Sequence, residues 1–382
     1  MRAAVPSRSR VLVVVLSLLC VSVALAESAA AREPDTISRS GAQFMLHGQP
    51  YRFTGVNAYE LATFWSVNAG CGQQLSDAQL DGFFSGLRPD SVVRFWAFQA
   101  LGVNKQSRTL DFTGLDRVFT AAARHGQRLI PVLGNQDGTC DDGHWKDAAW
   151  YSGGYKSVFN DDGRGLNVVS YSTWVSNVVN RYKSSPALGM WEPVNEPETA
   201  NCPAGYRGSA CYGHQECPDG AANTLRGFFD AVAGQIKSLD RKQLVLSGVI
   251  GTGQCGARGG EYQTVHASRY IDAGTYHDYG QDDVPVPGDQ WNGFRVRVQQ
   301  TRALNKPLFT EEVGINASDS EAAECVDLAT RARLLGDKLD GQLSAGGSGF
   351  LPWFYAPAMA AGCRHDVAPG DPTLTRLHDT PL

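Results

Sequence analysis

The chain has 382 residues, 42% of them hydrophobic and 19% charged, with a net charge of −5 at neutral pH. That balance is globular and long enough for one large core or two domains. It carries no basic excess of the kind a phosphate backbone attracts, which argues against a nucleic-acid partner.

The first residues read as an export signal. Arg2, Arg8 and Arg10 are positive, residues 11–25 form an apolar run, and Ala24-Leu25-Ala26 offers a small-x-small cleavage site. The run is too short for a comfortable membrane span, and no later stretch reaches its length. Leu19 precedes Cys20 where a lipoprotein signal places a small residue, which argues against a lipid anchor. The expected organisation is a signal peptide over 1–26, a polar lead-in over 27–40 and one folded unit over 41–382.

Nine cysteines are present, and Cys20 leaves with the signal. The rest are Cys71, Cys140, Cys202, Cys211, Cys217, Cys255, Cys325 and Cys363. An even number in an exported chain points to disulfides. No pair is spaced Cys-x-x-Cys, so a structural zinc site is the weaker reading.

Residues 42–46 and 51–54 flank His47-Gly48-Gln49-Pro50 and predict a small hairpin. Short β-rich runs then alternate with longer helical ones. The strands fall at 52–57, 91–96, 128–133, 188–194, 243–248, 271–277, 307–312 and 348–354. The clearest helices fall at 75–87, 113–125, 171–182, 221–239, 291–304 and 325–343, with a short one near 265–270 and a weak last one. Leu115, Val118, Phe119 and Ala122 illustrate the helical spacing. Eight β/α units without a long linker predict one α/β domain, a (β/α)8 TIM barrel. A doubly wound open sheet is the alternative. It usually carries a Gly-rich phosphate turn after its first strand, whereas here the first strand ends Gly55-Val56-Asn57-Ala58-Tyr59.

In a barrel the active site lies at the C-terminal ends of the strands. Every cysteine of the mature chain follows a strand, so disulfides would staple the loops around that mouth. Adjacency alone pairs Cys71 with Cys140 and Cys325 with Cys363.

The fourth strand runs into Trp191-Glu192-Pro193-Val194-Asn195-Glu196-Pro197-Glu198. Pro197 locks its own φ and keeps Glu196 from helical geometry, so the acid is aimed. A second acid site ends the seventh strand, in Phe309-Thr310-Glu311-Glu312-Val313-Gly314. The fourth and seventh strands of a barrel face each other across the mouth. Two carboxyls so placed can flank one glycosidic bond, one protonated as general acid and the other ionised as nucleophile. Strand alternation sends Glu311 and Glu312 to opposite faces.

These motifs resemble those of family 5 glycoside hydrolases, retaining barrel enzymes that include cellulases and β-mannanases. The resemblance covers nearly the whole mature chain. It rests on Arg94 in Val92-Val93-Arg94-Phe95-Trp96, on Asn195-Glu196-Pro197, on His277-Asp278-Tyr279, on Glu312-Val313-Gly314 and on Trp353 in Leu351-Pro352-Trp353-Phe354. It implies Glu196 as acid/base and Glu312, the acid nearer the glycine, as nucleophile. Arg94 would keep Glu312 ionised, and Tyr279 would hydrogen-bond it. Asn195 would bind the hydroxyl beside the reacting carbon. His277 would bind the sugar or orient Glu196, and Trp353 would be a platform for the sugar ring.

One departure is that the third strand leads into Leu133-Gly134-Asn135-Gln136-Asp137 with no histidine. Asn135 or Gln136 would then take over a sugar contact. The insertion 198–220, with three cysteines, could close one end of a cleft and favour release of a terminal sugar. Tyr59, Phe64, Trp65, Trp96, Trp145, Trp150 and Trp191 gather near the mouth. About half are expected to touch substrate, with Trp96 and Trp65 the chosen candidates. Asp141-Asp142-Gly143-His144 reads as a solvated loop, with cation binding the rival.

The leading function is thus an exported retaining hydrolase of a β-linked polysaccharide, with β-1,4-mannan the best single substrate. Trp-Glu-x-x-Asn-Glu-Pro and Phe-x-Glu-Glu-x-Gly lean that way. An exo-acting furanosidase on galactofuranose or arabinofuranose glycans is a second reading. A barrel that binds glycans without cleaving them is a third, disfavoured because both acids are present. The acid/base pair suffices without cofactor or metal, and we expect a monomer with a polysaccharide or oligosaccharide partner.

Overall fold

Strands and helices alternate along the chain in the computed structural model, which describes residues 1, 35–320 and 324–382. The chain divides into two compact units, Met1–Glu33 and Pro34–Leu382. The expected export signal lies outside the described residues apart from Met1, and all elements below belong to the second unit. Among the described residues, no helix is long and apolar enough to cross a membrane.

The unit opens with three short antiparallel strands, β1 (Ser38–Ser40), β2 (Gln43–Leu46) and β3 (Gln49–Pro50). Pairing of Met45 with Pro50 and of Leu46 with Gln49 leaves His47 and Gly48 as a two-residue turn. Their φ angles are 50° and 73°, the left-handed conformations that match a hairpin's twist. The turn is therefore tighter than expected, and residues 51–54 are not its second arm. Phe53–Asn57, buried throughout, joins the main parallel sheet as β4.

The parallel strands that follow are β5 (Val92–Trp96), β6 (Arg128–Val132), β7 (Met190–Trp191), β8 (Leu244–Val245), β9 (Gly274–Asp278) and β10 (Leu308–Val313). Two short strands, β11 (Ala317–Ser318) and β12 (Val326–Asp327), pair with each other before β13 (Gly349–Pro352). The six-stranded sheet runs β6-β5-β4-β13-β10-β9, and β7 pairs with β8. Single parallel bridges link Leu129 to Leu188, Val132 to Glu192 and Leu246 to Ala273. The result is a curled, parallel α/β sheet. The strands expected at 188–194 and 243–248 shrink to two residues each. Pro193 has no N–H to give a ladder, and Gly248, with φ of 66°, turns the chain after β8.

One buried cluster draws Phe53, Val92, Ile130, Met190, Leu244, Leu246, Ala273, Phe309 and Leu351 together from the parallel strands and their immediate extensions. Ile37, Phe44 and Leu46 of the antiparallel segment close it from one end. The larger core lies between sheet and helices. Helix α1 (Asp77–Ser85) starts on a capping box in which Ser76 and Gln79 bond each other's backbone, satisfying two end donors. Helix α2 (Thr113–Arg124) buries Leu115, Val118, Phe119 and Ala122, as their spacing predicts. Helix α3 (Ala148–Tyr151) is an unexpected short turn, followed by α4 (Tyr171–Tyr182) and α5 (Ala221–Leu239). Helix α6 (Glu261–His266) sits earlier than expected, because Ser268 leaves the helix to donate to Asp230 at 2.6 Å. Helices α7 (Phe294–Ala303), α8 (Leu328–Ser344) and α9 (Pro372–His378) complete the unit.

Disulfides join Cys71 to Cys140 and Cys325 to Cys363, the two pairs drawn from adjacency. Two more, Cys202–Cys211 and Cys217–Cys255, pin the loop after β7. The first spans 69 residues, so its loss frees a long loop in the unfolded chain. Replacing Cys71 and Cys140 by serine should lower the unfolding free energy by about 2–4 kcal/mol. Denaturant titration of the two proteins would show the difference, and coincident curves would contradict it.

Candidate active site

The site is built around Arg94 on β5, whose side chain is fully buried. Its guanidinium donates through Nε and Nη2 to both oxygens of Glu192, at 2.7 and 2.6 Å. Nη2 also donates to Asn195 Oδ1 at 2.6 Å. Nη1 donates to Glu312 Oε1 at 2.6 Å and to Asn57 Oδ1 at 3.0 Å. All five N–H donors of the side chain are thereby used. Trp96 lies against the guanidinium, 4.9 Å from ring centroid to carbon.

The acid after β7 is held by its backbone. Glu196 adopts φ of 52°, an uncommon left-handed conformation for a long side chain and one of the kind that clusters at functional sites. Its N–H donates to the carbonyl of Gly248 at 3.0 Å, and its carbonyl accepts from Gln254 Nε2 at 2.9 Å. Gly248 must be glycine, since a Cβ there would stand 2.1 Å from the carbonyl of Val194. His277 on β9 meets Glu196 Oε1 through Nδ1 at 2.8 Å and Glu311 Oε2 through Nε2 at 3.2 Å. It is 1% exposed and does not line the cavity, so of its two expected roles the orienting contact is the one present.

Glu311 and Glu312 do not point to opposite faces. The register of β10 against both β9 and β13 slips between Thr310 and the residues after Glu311, a bulge that re-aims side chains. Both carboxyls consequently reach the same buried cluster. Glu311 lies 3.6 Å from Arg94 Nε, while Glu312 accepts from Arg94 and, at 2.7 Å, from the Tyr279 hydroxyl. Asn57 Nδ2 donates to the carbonyl of Glu311 at 2.8 Å, which holds the bulge.

Burial in this cluster favours neutral carboxyls, and its cations oppose that. Burial raises Glu192 well above the usual carboxylate range; Arg94 draws it down and Glu311 pushes it up. Glu311 lies below that range, because Arg94 and His277 outweigh its burial. Burial raises Glu312 as well, against the pull of His277 and Arg94 and with the push of Glu196. Arg94 therefore does not simply hold Glu312 low as expected, since its charge is shared with Glu192. Burial works against a charged His277, yet the carboxylates of Glu312, Glu196 and Glu311 lift it to about 10.

A cavity of about 570 Å³ opens above this cluster and is lined by Glu196, Glu312, Asn195, Asn135, Tyr279, Trp96 and Trp353. Asn135 accepts from Asn195 Nδ2 at 3.0 Å and donates to Asp137 at 2.7 Å. Trp353 stacks on Tyr59 at 5.5 Å between centroids. Its peptide bond to Phe354 is cis. One oxygen of Glu196 and one of Glu312 lie within 4.8 Å of each other.

Several expected residues fall elsewhere. Trp65 is 47% exposed and outside the cavity lining, its ring lying over Gly70 and its carbonyl accepting from Lys105. Gln136 is fully buried, bonded to the Lys146 carbonyl, the Tyr151 hydroxyl and the Glu198 N–H, and does not line the cavity, so it is out of a sugar's reach. Of the seven gathered aromatics only Tyr59 and Trp96 line the cavity. Trp145 and Trp191 are held inside by hydrogen bonds to Ala200 and Asp240, Trp150 packs in the core, and Phe64 lies under Arg117. The 141–144 segment is not a solvated loop. Asp141 and Asp142 are buried, Lys146 lies 3.2 Å from Asp142, and burial with Asp142 beside it pushes Asp141 up to about 7.

Residues missed at the outset include Glu192, Asn57 and Tyr212. Glu192 stands four residues before Glu196, and its place beside Arg94 leaves no periodic signal. Tyr212, from the cysteine-rich loop, lines the cavity; an aromatic inside a doubly stapled insertion was the available hint. Glu196, His277 and Glu312 also form the one group among the described residues with three ligand atoms in metal-binding reach, within 4.8 Å. It does not fit a cation, because Arg94 already occupies Glu312 and both His277 nitrogens are engaged.

No family model matches the chain. Among curated proteins it is 26% identical over 361 residues to a probable mannan endo-1,4-beta-mannosidase F of Aspergillus flavus, covering 84% of this chain and 67% of that one. It is 26% identical over 380 residues to mannan endo-1,4-beta-mannosidase A of Podospora anserina, covering 92% and 90%. Among solved structures it matches the endo-1,4-beta-mannanase of Rhizomucor miehei with a TM-score of 0.63 and 21% identity, over 90% of this chain and 98% of that one. It matches the glycoside hydrolase family 5 mannosidase of the same organism with a TM-score of 0.60 and 16% identity, over 90% and 96%. The resemblance to family 5 glycoside hydrolases seen in the motifs extends to these relatives and to their fold.

A protonated His277 makes a checkable contribution to stability. The folded protein raises its pKa from 6.5 to about 10, so the contribution is complete below about 6.5 and is lost as the pH rises through about 10. Unfolding free energies measured across that window should decline in a way that His277→Gln abolishes. Identical pH dependence in both proteins would refute the charged imidazole.

Proposed function

We propose that this chain, a glycoside hydrolase related to the mannan endo-1,4-beta-mannosidases, hydrolyses β-1,4-mannan with retention of configuration. The carrying observation is the closeness of the two cavity acids, one oxygen of each within 4.8 Å of the other. Retaining enzymes hold their carboxyls roughly 5–5.5 Å apart, whereas inverting ones need roughly 6.5–9.5 Å to seat a water.

In this reading Glu312 is the nucleophile and Glu196 the acid/base. Arg94 and the Tyr279 hydroxyl hold both oxygens of Glu312, which fixes the attacking carboxylate and favours its anion. The His277 hydrogen bond orients Glu196, whose carboxyl gives the leaving oxygen its proton. The same carboxyl then draws a proton from the water that releases the sugar. Asn195, anchored by Arg94 and Asn135, presents its amide to the sugar ring. Trp353 and Trp96 supply apolar faces against which the ring packs.

The pairings around the sheet, together with the cluster drawn from all its strands, support a closed (β/α)8 barrel over 41–382. Secretion after removal of residues 1–26 is supported by the four disulfides, which form and persist in oxidising compartments. Amino-terminal sequencing of the exported protein should begin at Glu27; a chain kept inside the cell with residue 2 intact would refute export.

Proton NMR of a fresh digest of β-1,4-mannan should show the β-anomer first. An α-anomer appearing first would overturn the retaining mechanism. Glu196→Gln and Glu312→Gln should each lower kcat by about 10³-fold. Activity that survives both changes would remove these residues from the chemistry.

A further inference from the structure

We infer that Asp137 is a positioning residue that acts through Asn135 to fix which way the Asn195 amide points. The inference rests on the mannanase reading above and adds what sets the direction of the Asn195 contact with the sugar.

Hydrogen bonds run in one direction from a cation to a carboxyl group. Arg94 Nη2 donates to Asn195 Oδ1 at 2.6 Å, Asn195 Nδ2 to Asn135 Oδ1 at 3.0 Å, and Asn135 Nδ2 to Asp137 Oδ1 at 2.7 Å. Both ends of this relay are unambiguous. A guanidinium can only donate. Asp137 Oδ1 must accept, because the Thr139 N–H also points at it, at 2.9 Å. Asn135 Nδ2 further donates to the Thr139 carbonyl at 3.1 Å, and a carbonyl can only accept. Turning the Asn135 amide over would set its NH2 against that of Asn195 and its oxygen against two acceptors. The fixed ends therefore dictate the placement of oxygen and nitrogen in both amides.

The backbone puts the two amides side by side. Asn135 and Asn195 form a parallel bridge, with the Asn195 N–H on the Gly134 carbonyl at 2.8 Å and the Gln136 N–H on the Asn195 carbonyl at 3.2 Å. Asp137 is held by its own turn, since the Thr139 hydroxyl donates to Oδ2 at 3.0 Å. Cys140, the next residue, is tied to Cys71. Asn135 has spent its N–H groups inside the relay, so it offers a sugar no donor. Asn195 gives one N–H to Asn135 and keeps the other for the cavity that it lines. Arg94 at the Asn195 oxygen polarises that remaining N–H into a stronger donor. Its bond to the hydroxyl beside the reacting carbon strengthens in the transition state. Without the Asp137 acceptor, only the Thr139 carbonyl resists the turning over of Asn135.

The test compares p-nitrophenyl β-mannotrioside with the analogue whose reacting sugar lacks that hydroxyl. In Asp137→Ala the ratio of kcat/KM for the two should fall about 10-fold from the parent's, whereas Asp137→Asn, whose side-chain oxygen can stand in for Oδ1, should hold it within about 3-fold. An unchanged ratio in Asp137→Ala, or an equal fall in both variants, would overturn the inference. NMR with the asparagine nitrogens labelled reads the relay without substrate. The side-chain amide resonances of Asn135 and Asn195 should move in Asp137→Ala and stay in place in Asp137→Asn; resonances that stay in both would overturn the relay. In the parent alone, the side-chain amide protons of Asn135 should exchange with solvent more slowly than the free one of Asn195, and the reverse order would also overturn it. A parent that cleaves no mannan would sink the mannanase reading, while the resonances still report on the relay.

Discussion

The site depends on a single cation with no donor to spare. Arg94 reaches Glu192, Glu312, Asn195 and Asn57 from one rigid fork. Three segments distant in sequence, at Asn57, at Glu192 to Asn195 and at Glu312, are thereby held to one side chain. A lysine could not substitute, since its point charge offers three donors without a fixed geometry. The arrangement also limits what Arg94 does for any one acid. Charge shared with Glu192 cannot fully stabilise the Glu312 anion; His277 and the Tyr279 hydroxyl add to its pull, and burial still leaves the acid raised.

The second constraint is the bulge in β10. A regular strand would send one of two adjacent glutamates into the core and the other to the helix layer. The slipped register turns both toward Arg94, and Glu311 then becomes the buried acceptor beneath His277. The imidazole is consequently clamped between a structural carboxylate and the Glu196 carboxyl that faces the cavity. The charge that His277 carries is set below the cavity floor, away from solvent.

The loops bring substrate to this floor and are fastened by covalent bonds rather than by secondary structure. Cys71 and Cys140 line the catalytic cavity themselves. The loop after β7, stapled twice, delivers Tyr212 to the same wall. The rigid sheet sets the acids, and the disulfide-bonded loops set the width and ends of the groove.

Element order, most helix spans and the two motif-borne acids were legible in the sequence, because periodicity and proline- or glycine-framed turns are local signals. Thr113–Arg124 and Ala221–Leu239 could be read from spacing alone. Two disulfides followed from the order of the loops. What only tertiary structure decided were contacts without a local trace. The bulge at Glu311 is a property of three paired strands. The burial of Gln136 and of 141–144 depends on what packs over them, and the exposure of Trp65 on what does not. Glu192 looks like an ordinary acid in the sequence, and only folding places it against Arg94.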